Sequence, residues 1–394
     1  GYPLAQAARR SCLKILISAT YFEPYKSGLS IYALRVAKGL VQLGHEVVVL
    51  TSQFKPDLAL EENLEGVKVL RLPVNMHISK GVILHGLHPA AQRWVGWAEV
   101  VNLHLPQFES PSFARECRRQ GKPLVVTYHC DLEMSAGLLD RLAGWGTQQR
   151  QAGVLRQADI IVQNSLDYAE HSPWLKPYLA KVREVPTPID WVRTSPQEIQ
   201  AFRTKYGLQP DERILGLAGR VAAEKGYEYL IAALPKVLAV YPQTRVVHAG
   251  TWKGVLGEEA YQAKIEAMLE PFGEHWKPLG FLPDEEFRAF FGACDALIFS
   301  SLNRTESFGI VQIEAMLQGT PVIASDLPGV RQPVLNTGMG KIVPIRDADA
   351  LAQAIIATLD EGKSKLPNAE TYLQRFAKEE VALMYQALFK EVLH

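Results

Sequence analysis

The sequence predicts an α/β fold of two doubly wound domains, on three observations. Short apolar runs recur along the whole chain, each followed by a loop and a stretch with helical spacing, as in parallel sheets covered by helices. With 394 residues the chain exceeds one ordinary core, so two domains of roughly 180 to 200 residues are expected. The pattern also restarts after a proline-rich passage, 185–195, where Pro186 and Pro188 lie just ahead of Pro196, and this passage serves as the linker.

Taken in order, residues 1–11, with Arg9 and Arg10, are expected to form a frayed lead. The first strand is 13–18, apolar except for Lys14 and the closing Ser18. A loop at 21–30, a helix at 31–43 stopped by Gly44 and a strand at 46–50 complete the first cycle. No GxGxxG accompanies it, which disfavours a nicotinamide or flavin site. Strands follow at 67–72, 100–103, 124–128 and 160–163. Residues 81–97 form an amphipathic segment carrying Trp94 and Trp97, suited to packing on a sheet, shaping a binding site or touching a membrane surface. In the second half strands are expected at 214–218, 245–249, 278–281, 296–299 and 322–324, with a helix over 308–318 closed by Gly319 and an amphipathic last helix over 370–393.

Composition removes several functions. Lys plus Arg equals Asp plus Glu at 42 each, so no global field draws the chain to nucleic acid or an anionic membrane. Cys12, Cys117, Cys130 and Cys294 contain no CxxC pair, which points to neither a disulfide framework nor a zinc site and suits the reducing cytosol. No apolar run approaches the ~18 to 20 residues of a membrane span, and residues 1–12 lack a signal peptide's apolar core. Asp131 and Glu133 form a spaced acidic pair without histidine, so no metal and no cofactor is expected.

The chemistry-bearing residues sit where strands end. In such folds ligands bind beyond the carboxyl ends of the strands, and the N–H groups opening the helix at Phe308, Gly309 and Ile310 suit a phosphate. Glu306 and Glu314 flank that spot, either facing a ligand or serving as a helix-start carboxylate and an exposed helix residue. Arg220 and Lys225, on one loop after a strand, offer a bidentate donor and a point charge for a diphosphate, or are two solvated cations. His129 ends the strand 124–128 at a ligand position, although a lone histidine also serves as a structural hydrogen-bonder.

Glu306-Ser307-Phe308-Gly309 and Glu314-Ala315, followed by Gly319, Pro321, Val322 and Ala324, resemble the EX7E region of retaining GT-B glycosyltransferases of the glycosyltransferase group 1 (GT4-like) family. The resemblance implies two Rossmann-like domains facing a central cleft, with 1–187 binding the acceptor, 188–370 binding a nucleoside diphosphate sugar and 371–394 forming a helix that crosses back to the first domain. It implies a diphosphate clamp of Arg220 and Lys225, a base-recognising loop at Phe281-Leu282, a sugar-contacting His129, and Gly28 approaching the donor diphosphate. Ser27-Gly28 stands where the family usually has Gly-Gly, Thr187-Pro188-Ile189-Asp190 replaces its Asn-Gly-Val-Asp hinge, and 328–332 lacks its later glutamate. The implied activity is metal-independent, retaining transfer from a nucleoside diphosphate sugar to a glycan, lipid-linked sugar or small metabolite by a cytoplasmic enzyme, with peripheral membrane contact through the first domain left open. Two rivals are a nucleotide-sugar 2-epimerase of the same architecture and a non-catalytic nucleotide-sugar binding protein.

Overall fold

The computed structural model describes residues 12–78, 81–132, 138–255 and 257–394. The expected lead at 1–11 and Glu133 lie outside them. The chain divides into two compact units, one made of residues up to Ile189 together with Arg375–His394, the other of Asp190–Gln374.

The first unit runs β1 (Lys14–Ser18), α1 (Gly28–Gln42), β2 (Glu46–Gln53), β3 (Glu61–Leu64), β4 (Val67–Ile78), β5 (Gly81–Leu84), α2 (Leu87–Trp97), β6 (Val100–Leu105), α3 (Ser110–Gln120), β7 (Leu124–Tyr128), α4 (Leu138–Gln157), β8 (Ile160–Gln163), α5 (Leu166–His171) and β9 (Val182–Glu184). Among the described residues the sheet order is β3-β4-β2-β1-β6-β7-β8-β9, with β5 also paired to β4. Apart from β3 and β5, which run antiparallel to β4, the strands are parallel. Ile15, Leu16 and Ile17 are buried without exposure, which is why these strands read as continuous apolar runs rather than alternating ones.

Two expectations are corrected here. α1 begins at Gly28 instead of residue 31, because Ser27 and Ser30 form a reciprocal capping box in which each hydroxyl accepts the other's backbone N–H. Gly28 is therefore the first helical residue and not a loop glycine. The segment 81–97 is two elements: β5 pairs antiparallel with β4, Gly86 takes a left-handed conformation, and α2 then starts. Trp94 and Trp97, edge to face at 5.6 Å, pack against the core of the first unit.

The second unit continues with α6 (Pro196–Lys205), β10 (Arg213–Ala218), α7 (Tyr227–Val240), β11 (Thr244–Ala249), α8 (Glu259–Leu269), β12 (Trp276–Gly280), α9 (Asp284–Ala293), β13 (Ala296–Phe299), α10 (Ile310–Leu317), β14 (Val322–Ser325), α11 (Gln332–Thr337), β15 (Gly340–Val343), α12 (Ala348–Glu361) and α13 (Glu370–Gln374). Its parallel sheet has the order β12-β11-β10-β13-β14-β15. The connectivity reverses between β10 and β13, and β1 and β6 are the corresponding pair in the first unit. Crevices at such reversals are where α/β sheets hold ligands.

The expected last helix over 370–393 is broken. α13 ends at Gln374, Ala377 is extended, and α14 (Lys378–Glu391) follows within the first unit. The break comes from pairing: Ile189 donates its N–H to Phe376 O at 2.7 Å and accepts from Lys378 N–H at 3.0 Å, which draws 376–378 out of helical geometry. α14 packs on α1, and its buried Tyr385 hydroxyl meets Tyr32 Oη at 2.9 Å and Thr127 Oγ1 at 2.8 Å. Tyr385→Phe removes one member of this buried chain of hydroxyls. It is expected to lower stability by about 1 to 3 kcal/mol, read as a loss of several degrees in Tm by calorimetry.

Candidate functional site

At the reversal in the second sheet, the loop after β10 and the loop after β13 are tied together. Leu302 N–H donates to Glu224 O at 2.8 Å, and the Ser300 hydroxyl donates to Lys225 O at 2.9 Å. Gly226 allows this approach: its φ is +63°, and a Cβ there would lie 2.5 Å from Ser300 O. The tied loops bring Lys225 Nζ to 2.6 Å from Glu306 Oε2 and 5.3 Å from the Phe299 ring centroid. The two side chains are only 17 % and 20 % exposed, so Lys225 is an anchored charge and not a solvated loop cation. Arg220, 40 % exposed, pairs with Glu224 four residues on. Each of the two cations on this loop is thus paired with a carboxylate.

α10 begins two residues later than expected. Gly309 caps it at a φ of +86°, a conformation that favours glycine, and a Cβ at that position would sit 2.4 Å from Phe299 Cζ, so a side chain there would have to push the Phe299 ring aside. Phe308 consequently lies outside the helix with its side chain buried. Buried Gln312 fixes the approach by donating to Phe308 O at 2.6 Å and to Val330 O at 3.0 Å. Among the described residues no side chain caps the first turn and no carboxylate falls in it, so the amides at Ile310 retain the anion preference of a helix N-terminus. Glu314 lies half-buried, one turn into α10.

Gly280 closes β12, so Phe281 falls beyond the strand, in contrast to the expected 278–281. Phe281 is 65 % exposed, whereas Leu282 is buried. β12 is two places from β10, and Gly250 N–H donates to Gly280 O at 2.8 Å between them. Arg220, Lys225, Glu306, Phe308, Gly309, Ile310 and Glu314 therefore gather on adjacent strand ends, with Phe281 and Leu282 farther along the same edge.

Gly28 and His129 belong to the first unit. The Tyr32 ring of α1 meets His129 edge to face at 4.9 Å. His129 is half-buried, its Nε2 lies 2.9 Å from His104 Nδ1, and desolvation pushes its pKa down to about 3, so it is neutral at physiological pH. Asp131 is structural here: its Oδ1 accepts from the Tyr128 and Ser172 hydroxyls at 2.8 Å and 2.7 Å. Among the described residues no cluster of three His, Cys, Asp or Glu side chains could hold a metal.

Sequence reasoning passed over four residues of these edges. Glu224 stands at i+4 from Arg220, an ion-pair spacing visible beforehand. Asn102 and His104 are polar residues inside an otherwise apolar strand, two apart and hence on one face, which is a signal in itself. Glu109, after β6, gave no such signal; burial raises its carboxyl to about 7, and the Thr20 hydroxyl donates to it at 2.9 Å across the first sheet's reversal.

Residues 198–377 match the family described as glycosyl transferases group 1, and residues 27–188 the one described as glycosyl transferase 4-like domain. The chain belongs to the group 1, GT4-like glycosyltransferases, and its architecture is GT-B. Among curated relatives, the phosphatidyl-myo-inositol mannosyltransferase of Mycolicibacterium smegmatis is 25% identical over 89% of this chain and 85% of its own length. The D-inositol 3-phosphate glycosyltransferase of Xylanimonas cellulosilytica is 27% identical over 90% of this chain and 89% of its own. Among solved structures, Anabaena HepE in complex with UDP superposes with a TM-score of 0.76 at 19% identity, over 96% of this chain and 100% of that one. Sucrose-phosphate synthase from Thermosynechococcus elongatus gives 0.76 at 22% identity, over 96% and 98%.

Proposed function

We propose that this glycosyltransferase moves a sugar from a nucleoside diphosphate sugar to a hydroxyl acceptor with retention of anomeric configuration. The observation that carries the reading is the Lys225–Glu306 pair at the reversal of the second sheet. Departure of a nucleoside diphosphate needs its negative charge neutralised, and Lys225, Arg220 and the first amides of α10 supply donors for that. As Lys225 turns to the diphosphate it leaves Glu306 beside the sugar, where a carboxylate favours the positive charge of an oxocarbenium-like centre. The acceptor hydroxyl then attacks from the face the diphosphate leaves, and its proton passes to the diphosphate oxygen. HepE, solved with UDP and with UDP-glucose, supports the donor class. The acceptors in the relatives' names are inositol derivatives, free or lipid-linked, and such cyclitols are the first to test.

Glu314 is assigned to the ribose hydroxyls. Loss of such a charged contact costs about 1.5 to 3 kcal/mol, so Glu314→Ala is expected to weaken the nucleoside diphosphate about 10- to 150-fold by calorimetry. His129 is assigned to the sugar and not the nucleotide. His129→Ala is expected to lower kcat about 10- to 100-fold while diphosphate affinity stays within about threefold.

The class is tested by following the donor's anomeric proton by NMR, first alone and then with acceptor. Acceptor-dependent formation of a glycoside with the donor's anomeric configuration is the expected result. Inversion rejects the retaining course, and conversion of the donor sugar without any acceptor rejects transfer in favour of epimerisation.

A further inference from the structure

The two histidines at the ends of β6 and β7 stand in a hydrogen-bonded series whose direction can be read from its first member. Buried Asn102 donates its amide N–H groups to Val125 O at 3.2 Å and to Thr127 Oγ1 at 3.0 Å. A carbonyl oxygen only accepts, so the contact to Val125 O fixes which end of the Asn102 amide is nitrogen. Asn102 Oδ1 then faces His104 Nε2 at 3.0 Å and can only accept from it. His104 therefore carries its proton on Nε2 and presents a bare Nδ1. That nitrogen lies 2.9 Å from His129 Nε2, which must be the donor.

We propose that Asn102 and His104 are positioning residues that hold His129 in the Nε2–H tautomer, leaving His129 Nδ1 as a hydrogen-bond acceptor for a hydroxyl of the bound sugar. Both histidines are desolvated and kept neutral, so each ring carries one N–H and one bare nitrogen. The ring centroids lie 5.1 Å apart at an interplanar angle of 26°. Thr127 Oγ1 continues the series to the Tyr385 hydroxyl on α14, so the Asn102 end is anchored by a second element.

The consequence is a preference among donor sugars. An acceptor nitrogen pairs with a hydroxyl group, whereas a carboxylate at the same place brings a lone pair against a lone pair and leaves both unsatisfied. The series thus selects a neutral sugar with a free hydroxyl over a uronic acid or the matching deoxy sugar. This preference rests on the assignment of His129 to the sugar; the tautomer does not.

The test separates the two. In the full chain labelled with 15N-histidine, long-range proton–nitrogen correlation spectra at neutral pH, without any ligand, report which nitrogen of His129 is protonated, a His129→Asn variant supplying the assignment. Protonated Nε2 and bare Nδ1 are expected; a proton on Nδ1 overturns the proposal whatever the substrate. His104→Phe is expected to turn His129 into a tautomer mixture and lower kcat about tenfold, with nucleoside diphosphate affinity within about threefold. His104→Gln, whose amide oxygen can accept from His129, is expected to restore part of both. An unchanged His129 tautomer in the His104→Phe variant also overturns the relay. With the tautomer as expected, equal turnover of the hexose, deoxy and uronic-acid forms of one donor refutes the role of His129 at the sugar and leaves the relay standing.

Discussion

Lys225→Ala is expected to lower kcat/KM by about two to four orders of magnitude, equivalent to roughly 3 to 5 kcal/mol of lost transition-state stabilisation. The size follows from the setting: the ammonium is anchored between Glu306 and the Phe299 ring, only 17 % exposed, so its charge acts where water screens it weakly. Its removal also leaves the Glu306 carboxylate uncompensated beside an anionic leaving group, which adds repulsion to the lost attraction. Folding is expected to hold, because the loop is secured by the main-chain bond from Leu302 to Glu224 and by Gly226, not by the lysine side chain. Steady-state kinetics with circular dichroism as the control reads both. Lys225→Arg is expected to recover only part of the activity, since a planar fork replaces a compact charge. Turnover within threefold of wild type in the alanine variant removes Lys225 from the chemistry.

Glu306→Gln is expected to fail in a different way. Glu306 pairs with the cation assigned to the diphosphate, so neutralising it removes a competitor, and nucleoside diphosphate is expected to bind equally well or up to about threefold tighter. The reacting centre loses its negative neighbour, and kcat drops about 100-fold or more. Because the two residues touch, their effects should not add: in the Lys225→Ala, Glu306→Gln double variant the loss should fall short of the product of the single losses. Calorimetry for affinity and initial rates for kcat decide this. A Glu306→Gln enzyme that loses diphosphate affinity tenfold places the carboxylate at the nucleotide instead.

The strands were the legible part of the fold. Runs such as Ile15–Ile17 and the β13 strand are apolar because both faces of a parallel sheet are covered, and that pattern is local to the sequence. Element ends were harder, since they depend on single hydrogen bonds. The Ser27–Ser30 capping box moves the start of α1, and the close contact of Gly309 with Phe299 sets the start of α10. The break before α14 is imposed by Ile189, a linker residue far earlier in the chain, and so leaves no local signal.

At the candidate site, residue types at strand ends left Arg220, Lys225, Glu306 and Glu314 open between ligand contacts and solvated side chains, and the family resemblance singled them out. What the sequence could not carry was pairing. Lys225 and Glu306 are 81 residues apart, and only the adjacency of β10 and β13 brings them together. The same holds for His104 and His129, joined by the parallel register of β6 and β7. The pairing of Arg220 with Glu224 likewise went unread, although the two are only four residues apart.

Calorimetric titration of UDP, GDP and ADP into the full chain and into its Lys225→Ala variant tests the central claim most directly, that the second unit holds a nucleoside diphosphate at the Lys225–Glu306 pair. The account predicts saturable binding of at least one of the three and a loss of at least about tenfold, or 1.4 kcal/mol, in the variant. Absence of binding by all three, or equal affinity in the two proteins, contradicts it.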